Sequence, residues 1–244
     1  MTSTPQDLQL INDSILPCIL GNKPFHPRTG PGVHMAYQEA AMFQAVCSSL
    51  QPHCAIEVGT ETGGTLAIIA RHSARVFSID LDPAVKTKLQ PKFSNVEFIT
   101  GDSHAALPEV LRRLAAEGVT PDFIFIDGDH TADGVRKDIE HVLSFRPTSR
   151  MVVLMHDSFN PECRQGILSA QWRRNPFCHF VDVDFSPGSL HPDEAIQRQM
   201  WGGLGFALFL PEIRTHELQV KATHQISFEA ALYQSVYRNQ IQRR

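Results

Sequence analysis

A doubly wound, mostly parallel α/β sheet with a reversed final strand is the fold this sequence predicts, on three observations. Short apolar, β-branched runs alternate with longer amphipathic segments from about residue 54 onward, the pattern of parallel strands joined by crossover helices. The first four runs each lead straight into an acid or a glycine, at Glu57-Val-Gly59, Asp80, Gly101-Asp102 and Asp127. The last two runs have no long helix between them, and a parallel connection needs a crossover of about a dozen residues or more, so that pair is expected to be antiparallel.

Residues 55–58, 76–79, 96–100, 123–126 and 152–155 are the predicted parallel strands. Ahead of them, residues 22–32 form a Pro/Gly-rich stretch, and a helix is predicted over 35–49. Between the fourth and fifth strands Val135, Ile139, Val142 and Leu143 recur at helical spacing, while Arg136, Lys137, Asp138, Glu140 and His141 fill the other face. That segment is a surface helix covering a sheet. Beyond Asp157 a helix is predicted over 161–174, then strands over 179–185 and 205–210. The tail, 227–244, is expected to carry a final helix with Phe228, Ala231, Leu232 and Val236 inward and a frayed end. The expected organisation is an N-terminal cap over 1–50, a ligand-binding body over 51–212 and a helical tail over 213–244 of the same domain. A chain of 244 residues with 42% hydrophobic content can bury such a core.

A formal charge of −4 provides no basic field for a phosphate backbone, so nucleic acid is not an expected partner. The five cysteines are an odd number without a C-x-x-C pair, which indicates neither a disulfide framework nor a zinc ribbon. The N-terminal sequence lacks a basic start and an apolar stretch, and no apolar run approaches the ~20 residues that span a bilayer. A cytoplasmic protein without membrane contact is expected, and the N-terminal segment and C-terminal helix are the expected surfaces if it forms a homodimer.

The loop after the first strand, Glu57-Val-Gly-Thr-Glu-Thr-Gly-Gly64, places glycines at 59, 63 and 64 immediately before a helix. Such a turn lets the backbone approach a ligand at a helix N-terminus, although it also serves as a plain connector. About twenty residues on, Asp80 closes the second strand, where an α/β nucleotide fold puts the carboxylate that accepts ribose hydroxyls. The other reading of Asp80 is a helix cap, for which Asp82 is better placed. Asp102, after the third strand, stands where an adenine amino group could be met. A dinucleotide fingerprint wants G-x-G-x-x-G, and this loop has Gly59-x-x-x-Gly63, so an NAD-dependent oxidoreductase is the rival reading rather than the first. A noncatalytic binding protein on the same fold is the other.

Taken together, Glu57-x-Gly59-x-x-x-Gly63, the acid ending strand two, Gly101-Asp102-Ser103 and Ile126-Asp-Gly-Asp-His130 resemble the class I S-adenosylmethionine-dependent methyltransferases. The stretch from Phe125 to Asp138 is similar to the small-molecule O-methyltransferase group that includes macrolide-sugar and aminocoumarin-sugar enzymes. The resemblance covers about residues 55–210 and implies the Rossmann-like methyltransferase fold with S-adenosylmethionine as cofactor. It also implies a cofactor set of Glu57, Gly59, Thr60, Gly63, Asp80, Asp102, Ser103 and Asp127. Glu57 and Gly59 would lie beside the methionine portion, Asp80 on the ribose, and Asp102 with Ser103 at the adenine. The implied acceptor is a hydroxyl on a sugar or other small natural product.

Strands four and five are expected to be neighbours, which brings Asp127 and Asp157 to one rim about 5 Å apart in strand spacing. Two carboxylates in one crevice invite a hard divalent cation that could lower the pKa of an acceptor hydroxyl and orient it. Magnesium or manganese on Asp127, Asp157 and His156 is one reading. Relatives carry an acidic pair where this chain has His156-Asp157, so His156 is also read as a metal-free partner of the acceptor or a strand-end histidine. His130 is the preferred general base, because a neutral imidazole takes a proton near neutral pH without a large shift; Asp129 is the alternative. Trp201-Gly-Gly-Leu-Gly205 is read as packing before a buried strand, with the acceptor pocket as its second reading.

Overall fold

The computed structural model describes residues 34–190 and 198–238. Residues 22–32, most of the expected cap, Cys18, His191 and the end of the tail therefore lie outside the described residues. Eight strands form one sheet in the order β10-β6-β9-β5-β4-β1-β2-β3. These are β1 (Cys54–Val58), β2 (Arg75–Asp80), β3 (Val96–Thr100), β4 (Phe123–Ile126), β5 (Met151–His156), β6 (Cys178–Ser186), β9 (Leu204–Phe209) and β10 (Val220–Lys221). A separate antiparallel pair joins β7 (Ser189–Leu190) to β8 (Met200–Trp201). The first five strands pair in parallel, while β9 runs antiparallel to both β5 and β6.

Side chains along a strand alternate between faces, and both faces of this sheet are covered. Ile56, Val58, Ile124, Ile126, Val153 and Met155 pack on one side against α4 (Ser103–Glu117), α5 (Ala132–Leu143) and α6 (Pro161–Ser169). Ala55, Phe123, Phe125, Val152 and Leu154 pack on the other against α1 (Tyr37–Leu50), α2 (Gly64–His72) and α3 (Pro83–Leu89). Phe43 of α1 meets Phe125 edge-on with ring centroids 4.7 Å apart. Near-continuous burial of β1, β4 and β5 is the signature of parallel strands sandwiched by helices.

The strand predictions stand, with shifts of one residue at several ends. Three expectations are corrected. The reversed strand does not end the sheet, because β9 pairs on both sides and the unforeseen β10 takes the edge beside β6. The helix expected to reach residue 174 stops at Ser169: Ala170 is extended, and the buried Trp172 indole donates to the Ile167 carbonyl at 2.7 Å, ahead of a 3-10 turn over Trp172–Arg174. The tail helix α7 spans Gln225–Gln234 and buries Phe228, but Val236 is exposed beyond its end, where its amide donates to the Arg198 carbonyl. Among the described residues no helix is long and apolar enough to cross a membrane.

The chain leaves β1 towards β2 and β3, then returns to lay β4 on the other flank of β1. Loops after β1 and β4 thus part in opposite directions and open a crevice at the carboxyl ends of the strands, the switch point of an open α/β sheet.

Candidate active site

Two cavities of about 440 and 410 Å³ occupy that crevice, and Gly59, Asp80 and Gly128 line both. The loop between them is held from beneath. Gly59 and Gly63 both adopt φ +83°, in the left-handed region that favours glycine. The amides of Thr60 and Glu61 each donate to Asp80 Oδ2 at 2.9 Å, and the Asp82 amide donates to Oδ1 at 2.8 Å. Asp80 is thus the latch of the glycine loop as well as a lining residue. Asp82 caps α3 by accepting from the Ala84 amide, as its position predicted.

Glu57 is fully buried and does not face either cavity. Its two oxygens accept from the hydroxyls of Thr60 (2.9 Å) and Thr65 (2.7 Å), and it is those threonines that line the first cavity. Burial pushes the Glu57 carboxyl up to about 8, against the pull of the two hydroxyls. A carboxyl raised in the folded state stabilises the protein fully below its ordinary range, and that contribution is lost as pH rises through the folded value. Glu57→Gln should therefore gain on the wild type between pH 5 and 8, by roughly 2–4 kcal/mol at 1.36 kcal/mol per unit. Urea midpoints at the two pH values measure this, and parallel curves would mean that Glu57 is already ionised at pH 5.

Asp102, Ser103 and Asp129 line the second cavity. Asp102 caps α4 through the His104 amide at 2.9 Å, with its side chain 65% exposed. Asp129 accepts from the Thr131 amide at 2.8 Å at the start of α5. Beneath them Asp138 is buried beside Ser103, and burial raises its carboxyl to about 6 against the pull of the Ser103 hydroxyl.

The first cavity carries the remaining chemistry. His156 ends β5, and Asp157 follows it in a left-handed turn at φ 55°. His156 Nδ1 lies 3.1 Å from Asp127 Oδ1 and 3.5 Å from Asp157 Oδ2. His130 Nε2 lies 3.2 Å from Asp157 Oδ2 and 3.5 Å from Asp127 Oδ1, and its ring stands edge-on to Trp201 at 5.5 Å. So the ends of β4, β5 and β8 bring Asp127, His130, His156, Asp157 and Trp201 together. Asp129, next to His130 in sequence, points into the other cavity.

Opposite charges dominate here. Burial alone would raise Asp127, yet His156 and His130 beside it hold its carboxyl down at about 2. Burial likewise opposes the charge on His156, but Asp127 and Asp157 outweigh it and push the imidazole well up. The hydrogen bond to Asp127 also raises His130, against partial burial. Ligand atoms of Asp127, His156 and Asp157 lie within 4.8 Å of one another, a mixed oxygen and nitrogen donor set that fits a divalent ion of borderline softness.

Sequence reasoning missed Glu39. This α1 residue is 1% exposed: Oε1 accepts from the Gly203 amide at 2.7 Å, Oε2 accepts from the Ala36 amide at 3.0 Å, and Oε2 stands 3.6 Å from His156 Nε2. The available signal was an acid in register with Phe43 and Cys47, four and eight residues on, along the buried face of the helix. His34 and Met35, which also line the first cavity, carry no such signal.

Residues 56–158, the stretch from β1 to the turn after β5, match the family model described as "Methyltransferase domain". The match covers 103 of the 244 residues. The chain also superposes on solved structures over 69–87% of its length. They include cofactor-bound Rv0187 from MTB (18% identical, 87% of this chain and 100% of that one, TM-score 0.53). An O-methyltransferase from Bacillus cereus in complex with SAH is 16% identical over 86% of this chain and 93% of that one, with a TM-score of 0.51. The O-methyltransferase TomG from Streptomyces achromogenes, in complex with SAM, is 17% identical over 69% and 78%, also at 0.51. At such identities these likenesses establish the fold, which is the Rossmann-like methyltransferase fold. No curated protein sequence matches this chain.

Proposed function

We propose that this chain is a methyltransferase that transfers the methyl group of S-adenosylmethionine to a hydroxyl of a small acceptor, a sugar or other natural product, with His130 as general base. The observation that carries this reading is the pair of cavities sharing Gly59, Asp80 and Gly128: an extended ligand can cross the shared wall and present one group to the other cavity. Asp102 and Ser103 suit the adenine in the second cavity. Asp80 spends three of its roughly four lone-pair positions on loop amides and keeps one for a ribose hydroxyl. Gly59 and Thr60 suit the methionine end, with Glu57 behind Thr60 and Thr65 fixing their hydroxyls and Gly63 opening the loop. In this reading residues 51–212 hold the cofactor, 213–244 pack on as a tail, and the 1–50 segment caps the acceptor cavity, into which His34 and Met35 already reach.

Methyl transfer forms a carbon–oxygen bond as the carbon–sulfur bond breaks, neutralises the sulfonium, and leaves one proton to be taken from the acceptor hydroxyl. His130 suits that task because its Nε2 faces the acidic cluster and its ring, 45% exposed, can return the proton to solvent. Trp201 limits the swing of that ring. Asp127, His156 and Asp157 would hold a divalent cation, with manganese better suited to the imidazole nitrogen than magnesium. Such an ion would lower the pKa of the hydroxyl and orient it.

Thermal stabilisation by S-adenosylhomocysteine against NAD, each with and without manganese, tests the reading. At a hundredfold excess over Kd, S-adenosylhomocysteine should add about 2.7 kcal/mol, which raises Tm by roughly 5–10 °C for a chain of this size. NAD should add nothing, and Asp80→Asn should abolish the S-adenosylhomocysteine shift. Absence of any shift with millimolar S-adenosylhomocysteine would end the proposal.

A further inference from the structure

His156 offers Nδ1 to Asp127 and Asp157, while its Nε2 is buried and has no hydrogen-bond partner. An imidazole that gives its Nδ1 lone pair to a cation must keep its proton on Nε2, and a buried N–H needs an acceptor. Among the described residues, the charged group facing Nε2 is the Glu39 carboxylate, with Oε2 at 3.6 Å. Glu39 cannot easily withdraw. Its oxygens are pinned by the Ala36 and Gly203 amides, and Gly202 and Gly203, at φ +73° and +85°, wrap the turn around it. A Cβ on Gly202 would come within 2.9 Å of Glu39 Cδ, so glycine is what lets the turn close over the carboxylate.

We infer that Glu39 is a positioning residue: it holds His156 in the tautomer that directs Nδ1 at the cation between Asp127 and Asp157. Helix α1 thereby becomes part of the centre although it supplies no ligand. The inference rests on the cation reading above. Its competitor is a carboxylate that only ties α1 to the Gly202–Gly203 turn, a role that would not depend on His156.

Manganese affinity of the full chain, measured from the electron paramagnetic resonance signal of free Mn²⁺ with S-adenosylhomocysteine present, separates the two. Glu39→Gln should weaken Mn²⁺ binding 10- to 100-fold, the usual effect of losing an outer-shell partner, with S-adenosylhomocysteine affinity unchanged within twofold. In a His156→Gln background the same substitution should have no further effect, because the group it acts through is gone. Unchanged Mn²⁺ affinity in Glu39→Gln, or an equal loss in both backgrounds, overturns the inference. If Glu39→Gln does not fold, Glu39→Asp makes the same comparison with the carboxylate drawn back by one methylene. Wild-type protein that responds to S-adenosylhomocysteine but binds no Mn²⁺ overturns the cation reading and this inference with it, and leaves the methyltransferase intact.

Discussion

Under the proposed function, turnover should fall by about 10² to 10⁴ when His130 is replaced by alanine, the range expected for a lost general base, while S-adenosylhomocysteine should still raise Tm as in the wild type. The separation follows from where the side chain stands. His130 lines only the first cavity, with Nε2 at 3.2 Å from Asp157 and its ring against Trp201, and it touches none of the loop amides gathered by Asp80. Asp129 cannot take over without turning out of the second cavity, where the Thr131 amide holds it. Single-turnover methyl transfer measured beside cofactor binding reads both quantities. Full activity in His130→Ala would move the base elsewhere, and equal loss of binding and turnover would make His130 a structural residue of the cleft.

Gly59→Ala should cost about 2–5 kcal/mol and remove the response to S-adenosylhomocysteine. Two penalties combine there. The left-handed backbone costs any residue with a Cβ roughly 1–2 kcal/mol, and overpacking adds about 1–3 kcal/mol. The added Cβ would overlap the Asp127 carbonyl oxygen and come within 2.5 Å of its carbon and 2.9 Å of Gly128 Cα. These are backbone atoms of the neighbouring strand end, so relief requires β1 and β4 to part at the crevice. Gly118→Ala is the matched control, since its φ of +71° is similar but a Cβ there meets nothing within 4 Å. Gly118→Ala should lower Tm by only about 2–8 °C and leave cofactor binding alone. Equal losses in the two variants would show that φ alone, and not the closeness of β4, requires glycine at 59.

Much of the fold was legible because its signals are local. Runs such as Phe123-Ile-Phe-Ile126 can satisfy their burial only between two layers of helix, and the acids that follow them mark the strand ends. Gly59, Asp80 and Asp102, expected at the crevice from their places at or just beyond strand ends, do line its cavities. What escaped depends on partners distant in sequence. Glu39 meets Gly203 across 164 residues, and the place of β9 between β5 and β6 is decided by pairing on both of its edges. Glu57 illustrates a subtler gap: its position in the loop was evident, but the threonine hydroxyls that occupy both its oxygens were not. The neighbours Asp129 and His130 show the converse, one residue apart yet lining different cavities.

Because β9 runs against its neighbours, it delivers its beginning, not its end, to the rim where the parallel strands finish. Trp201 and Gly202 thereby enter the first cavity from a stretch of chain that lies wholly outside residues 56–158. Under the proposed function, part of the wall of the acceptor cavity is thus contributed from outside the stretch that holds the glycine loop. On that same reading, substitution or insertion before β9 would reshape that wall and leave the glycine loop after β1 as it is.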